Sequence, residues 1–66
     1  MEVEVNGDER EFADGITLAE LLDQLGTTQR GVAVAVDGQV VARGAWPEVV
    51  IADGAKVQIL TAVQGG

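Results

Sequence analysis

The chain reads as an α+β domain: a mixed sheet of about five strands with one main helix packed on one face. Short runs alternate apolar and polar residues, which is the period of half-buried strands. Asn6-Gly7, Asp37-Gly38 and Asp53-Gly54 punctuate those runs as tight turns. A single stretch, from Thr17 to Gly26, carries leucines at helical spacing.

The elements follow in order. Met1-Glu2-Val3-Glu4-Val5 alternates and forms the first strand. Asn6-Gly7 tolerates positive φ at both positions, which is what a two-residue hairpin turn requires. Asp8 to Ala13 returns as the second strand, with Phe12 as its core residue, and Asp14-Gly15 turns the chain. Thr17-Leu18-Ala19-Glu20 has the form of a capping box, in which the Thr17 side chain accepts from the Glu20 N–H and the Glu20 side chain accepts from the Thr17 N–H. Leu18, Leu21, Leu22 and Leu25 then fall on one helical stripe, and Gly26 ends the helix. So short a helix is marginal alone in water, so the leucines must hold it against the sheet. Val32 to Val36 and Gln39 to Arg43 pair through Asp37-Gly38. Gly44 to Ala52 is irregular, with Trp46-Pro47 folded over an open edge of the core. Asp53-Gly54 turns into the last strand, Lys56 to Ala62. Two hairpins flanking one helix, with a final strand to pair centrally, is the ubiquitin-like β-grasp order. Residues 1–62 make the domain and 63–66 a flexible tail.

Composition removes most enzymatic chemistries. The chain has 66 residues and no cysteine or histidine. Serine and tyrosine are absent as well. The usual nucleophiles, the commonest general base, disulfides and thiolate metal ligands are therefore missing. A metal site is not expected. A domain this small buries roughly 60% of its unfolded surface and has a stability of about 5 kcal/mol. The net charge of −7, from eleven acidic and four basic residues, disfavours nucleic acid and anionic membrane surfaces and favours a basic protein groove. No run approaches the ~20 apolar residues of a membrane span, and the acidic, alternating N-terminus is unlike a signal peptide. The expected location is cytoplasmic.

The residues Gly31-Val32-Ala33-Val34-Ala35-Val36, Val40-Val41 followed by Arg43 and Trp46, Asp53-Gly54, and Thr61-Ala62-Val63-Gln64-Gly65-Gly66 resemble the ThiS family of sulfur carriers in bacterial thiamine biosynthesis. The resemblance spans essentially the whole chain. Two departures, Asp37 where the family has asparagine and Ala42 where it has proline, lie at the second hairpin and away from the tail. The resemblance implies a carrier that is not itself an enzyme and binds no cofactor. A ThiF-like adenylyltransferase would consume ATP to convert the Gly66 carboxylate to an acyl adenylate. A persulfide sulfur, from a cysteine desulfurase or a persulfide protein, would replace AMP and leave a thiocarboxylate. A ThiG-like thiazole synthase would take the sulfur. Gly66 is then the reacting residue and Gly65 gives access, while Leu60, Ala62, Val63 and Gln64 meet the partners.

The residue types suit that chemistry. Adenylation gives a carboxylate a good leaving group, and the absence of Cβ at Gly65 and Gly66 lets the backbone thread a narrow channel. Four tail residues extend by roughly 13 Å, far enough to reach a buried nucleotide site while the body stays outside. A terminal Gly-Gly is otherwise a plain flexible terminus. The acidic residues Asp8, Glu9, Glu11 and Asp14 have the composition of a solvated edge, with a cation site as the alternative. Trp46 is core cover or an interface anchor. Leu60, Ala33 and Ala35 form either a small docking patch on the sheet face opposite the helix or a partly buried surface. Three other readings share the fold: a molybdopterin-synthase-type carrier subunit, a non-covalent adaptor with an inert tail, and a modifier that forms isopeptide bonds.

Overall fold

The computed structural model describes residues 1–27 and 31–61. Strands β1 (Glu2–Val5) and β2 (Asp8–Glu11) form the first hairpin. Helix α1 (Leu18–Gln24) follows, then β3 (Val32–Val36), β4 (Gln39–Val41) and β5 (Lys56–Thr61). The sheet runs β2-β1-β5-β3-β4. The last strand therefore lies at the centre, parallel to β1 and antiparallel to β3, as the β-grasp order requires.

Local chemistry explains both hairpins. Asn6 and Gly7 have φ of 49° and 88°, and Asp37 and Gly38 have 50° and 85°. Two consecutive positive φ values match the right-handed twist of the flanking strands. The first turn sets Glu4 opposite Glu9 and Glu2 opposite Glu11. The second sets Val36 opposite Gln39 and Ala35 opposite Val40.

The helix begins on the expected capping box. The Glu20 N–H donates to Thr17 Oγ1 at 3.2 Å, and the Thr17 N–H donates to Glu20 Oε1 at 3.0 Å. Leu25 closes the helix, with Gly26 just beyond it at φ 71°. Leu18, Leu21 and Leu22 are fully buried, and Leu25 packs against the same core from a half-buried position. They meet Val3, Val5, Val34 and Val57, the core-facing residues of three strands. Among the described residues no buried polar side chain lacks a partner.

Two boundaries differ from the sequence expectation. Regular β2 ends at Glu11 and not at Ala13, although Phe12 still exchanges bonds with Met1 (Phe12 N–H to Met1 O, 2.9 Å; Met1 amino group to Phe12 O, 2.8 Å). Strand β4 stops at Val41 and not at Arg43, because Arg43–Glu48 winds into a 3₁₀ helix. That turn carries Trp46 into the core at 2% exposure, where its indole N–H donates to the Val41 carbonyl at 3.0 Å. Trp46 is thus core cover and not an interface anchor. Beyond it the chain closes on the helix start: the Leu18 N–H donates to Val49 O at 2.8 Å and the Ile51 N–H to Ile16 O at 2.9 Å.

Leu22→Ala should cost about 2–5 kcal/mol, the range for a fully buried leucine whose site cannot collapse. Urea denaturation checks it. A midpoint equal to the parent's would remove Leu22 from the core.

Candidate functional site

The expected site divides between the end of β5 and the tail. Ala62, Val63, Gln64, Gly65 and Gly66 lie outside the described residues. What the structure describes is the platform from which that tail departs and the sheet face around it.

Strand β5 is paired with β3 along most of its length and with β1 only at its start. Its register with β3 runs from Val36 opposite Val57 to Val32 opposite Thr61. On the other side Glu4 lies beside Lys56 and Val5 beside Val57. Alternation then sorts the side chains. Val57 and Ile59 face the helix, and Lys56, Gln58 and Leu60 face outward. The last residues before the tail are therefore held in a defined plane and orientation.

The outward face of the sheet has two halves. Leu60 stands beside Ala33, and Ala35 stands beside Val40 on its other flank. Leu60 is 64% exposed and Val40 78%. These four side chains make one small apolar surface, and Leu60 leads directly into the tail. The sequence reading placed Leu60, Ala33 and Ala35 there but missed Val40. The two-residue turn at Asp37-Gly38 was enough to find it, since it puts Val40 opposite Ala35.

The other half is acidic. Glu2, Glu4, Glu9 and Glu11 share the outward face as two directly opposed like-charged pairs. Such pairs destabilise a sheet by a few tenths to about 1 kcal/mol. Lys56, beside Glu4, lies between the acidic half and the apolar one. Asp14 stands apart and pairs at 3.5 Å with the amino terminus. Among the described residues no three acidic side chains converge as metal ligands would. No helix among them is long and apolar enough to cross a membrane.

A central last strand, one helix on the inner face and a chain running on into a Gly-Gly tail define a β-grasp domain of the ubiquitin-like class. Residues 3–66 match the model of the ThiS family. The chain is 33% identical to the sulfur carrier protein ThiS of Escherichia coli over 66 residues, covering all of both chains. It is 35% identical to a thiazole synthase of Paramagnetospirillum magneticum over 66 residues, covering all of this chain but only 20% of that protein. The crystal structure of the thiamine biosynthesis protein ThiS from Geobacter metallireducens superposes with a TM-score of 0.87 at 32% identity, covering all of both chains. The solution structure of a thiamine biosynthesis protein from the same organism gives 0.79 at 30% identity, with 88% of that chain covered. The chain belongs to the ThiS family.

Because Leu60 and Val40 are exposed, serine at either position should shift the stability by no more than about 0.5 kcal/mol. Urea midpoints check this against Leu22→Ala. A loss as large as that of the core variant would show that these side chains are packed and not presented.

Proposed function

We propose that this chain is a sulfur carrier of thiamine biosynthesis and that its reacting group is the carboxylate of Gly66. One observation carries the reading: the match to the ThiS family runs through Gly66, and the pairing with the E. coli carrier covers that protein from end to end. The chemistry then follows from the residue types. The carboxylate oxygen attacks the α-phosphorus of ATP held by a ThiF-like adenylyltransferase, and pyrophosphate leaves. The terminal sulfur of a persulfide, on a cysteine desulfurase or a dedicated donor protein, attacks the Gly66 carbonyl carbon and expels AMP. Scission of the persulfide S–S bond by a thiol leaves the thiocarboxylate. The carrier is a co-substrate throughout and supplies no catalytic side chain, in keeping with a sequence without Cys, His or Ser.

A ThiG-like thiazole synthase is the acceptor. The likeness of this whole chain to one fifth of a thiazole synthase supports that pairing, since it places a carrier-like segment within such an enzyme. Docking uses the outward sheet face. The apolar half, with Leu60 next to the tail, seats against an apolar strip of the partner, and Ala62, Val63 and Gln64 follow it into the partner's channel. The acidic half faces basic groups. Exposed charge of this kind speeds encounter more than it tightens the complex. ATP belongs to the activating partner.

Two measurements bear on this reading. The association rate with the activating enzyme should fall steeply as salt rises through the range where the Debye length shrinks from about 30 to about 8 Å. A rate indifferent to salt would remove the acidic half from recognition. Deleting Gly66 should leave the circular dichroism spectrum and melting unchanged, as every helix and strand among the described residues lies before it. Pyrophosphate release should nevertheless collapse, because the carbonyl carbon then falls one residue, about 3.5 Å, short of the nucleotide. A folded Gly66 deletion adenylated at the parental rate would overturn the carrier assignment.

A further inference from the structure

We infer that Asn6 is a positioning residue for the carboxyl-terminal tail, acting through its side-chain amide on the backbone of Ile59. Strand β1 pairs with β5 only as far as Val5 beside Val57. The chain then leaves the sheet at the Asn6-Gly7 turn, where Asn6 takes φ 49°. Its own N–H still reaches back to the Val57 carbonyl at 3.0 Å. The next residue of β5 whose N–H and C=O point toward β1 is Ile59, and β1 has no further backbone to offer it.

The Asn6 side chain takes that place. The Ile59 N–H donates to Asn6 Oδ1 at 2.8 Å, and Asn6 Nδ2 donates to the Ile59 carbonyl at 3.2 Å. A carboxamide carries one acceptor and one donor at the spacing of a peptide group, so it completes the ladder as a residue of β1 would. Glutamine carries the same group only on a longer arm, aspartate lacks the donor and serine has a single atom for both tasks. These two bonds join residues 53 apart in the chain, and they fall two residues before Thr61, where β5 ends. They hold the β5 backbone at Ile59 on the side where β1 has ended. The turn alone does not need them, since glycine would accept the same φ.

The inference rests on the carrier reading for what the tail does, and on geometry alone for what Asn6 holds. If it is correct, loosening Ile59 leaves docking of the body intact but lets the Gly66 carboxylate reach the nucleotide less often. The loss then falls on kcat of adenylation with the carrier as substrate, and KM holds. A purely structural role would lower activity only in proportion to the unfolded fraction.

The test compares Asn6→Gly and Asn6→Asp with the parent by amide hydrogen exchange and by adenylation kinetics with the activating enzyme. Asn6→Gly keeps the turn and removes both bonds. The Ile59 amide should exchange about tenfold faster while Val34 keeps its protection, and kcat should fall by about three- to tenfold, the scale of one or two lost hydrogen bonds. Asn6→Asp retains the acceptor and should keep Ile59 protected, with kcat between the other two. A folded Asn6→Gly with parental Ile59 exchange, or with parental kcat, overturns the inference and leaves the carrier reading standing. Should Asn6→Gly not fold, parental kcat in Asn6→Asp overturns it, because the donor to the Ile59 carbonyl is gone. A parent that is not adenylated at all removes the carrier reading, and the positioning role falls with it.

Discussion

The fold depends on how β5 is held. It is the last strand made and the one that must enter the middle of the sheet, with β1 on one side and β3 on the other. Neither neighbour is adjacent to it in sequence, so its insertion carries the loop-closure cost of the whole domain. The two hairpin turns meet that cost with side chains as well as backbone. Asp37, in the left-handed region of the second turn, accepts from the Lys56 N–H through Oδ1 at 3.0 Å and donates its own N–H to the Lys56 carbonyl at 2.8 Å. Asn6, the equivalent residue of the first turn, grips Ile59. The strand is thus caught near both ends by residues that also make the turns. Asp53, in the turn before β5, accepts from the Glu2 N–H of β1 at 2.9 Å where the chain re-enters the sheet. The inner face then closes over Val57 with the helix leucines, and the outer face is left open.

An open outer face in a domain with so little core has a physical cost, and the acidic half makes it plain. Four glutamates facing one another across β1 and β2 oppose pairing, and nothing in the packing of the core requires them. Edge strand β2 is exposed at every residue, and its charges discourage edge-to-edge association. The same charges present a negative field beside the apolar surface around Leu60. A carrier must be released by each partner in turn. A surface with a small apolar centre and steering charges gives fast encounter without tight holding, which suits the proposed passage between an activating enzyme, a sulfur donor and an acceptor.

Much of this was legible in the sequence because it is local. Asn6-Gly7 and Asp37-Gly38 specify their turns and registers, Thr17 and Glu20 specify the helix start, and four leucines specify its buried stripe. The 3₁₀ helix at Arg43–Glu48 was not legible. It forms because Trp46 must reach a core built from residues distant in the chain, its indole N–H finding an acceptor in the Val41 carbonyl on the way. The bridge between Thr17 and Val50 is equally non-local. The Asn6 clamp escaped for the same reason: a two-residue turn signal says where Asn6 bends the chain and not which strand lies within reach of its amide. At the candidate site Leu60 was read correctly as a surface residue of β5, whereas Ala62 to Gly66 were read from residue types and from the family resemblance alone.

The central claim is that sulfur is carried on the terminal carboxylate of Gly66. Its most direct test is intact-mass analysis of the chain after incubation with the cognate activating enzyme, ATP and a persulfide donor, followed by fragmentation to place the change. The account predicts replacement of one oxygen by sulfur, confined to a fragment containing Gly66 and dependent on ATP. A chain whose mass is unchanged under conditions where the activating enzyme is competent would contradict it, and so would a chain recovered only as covalent conjugates through Gly66.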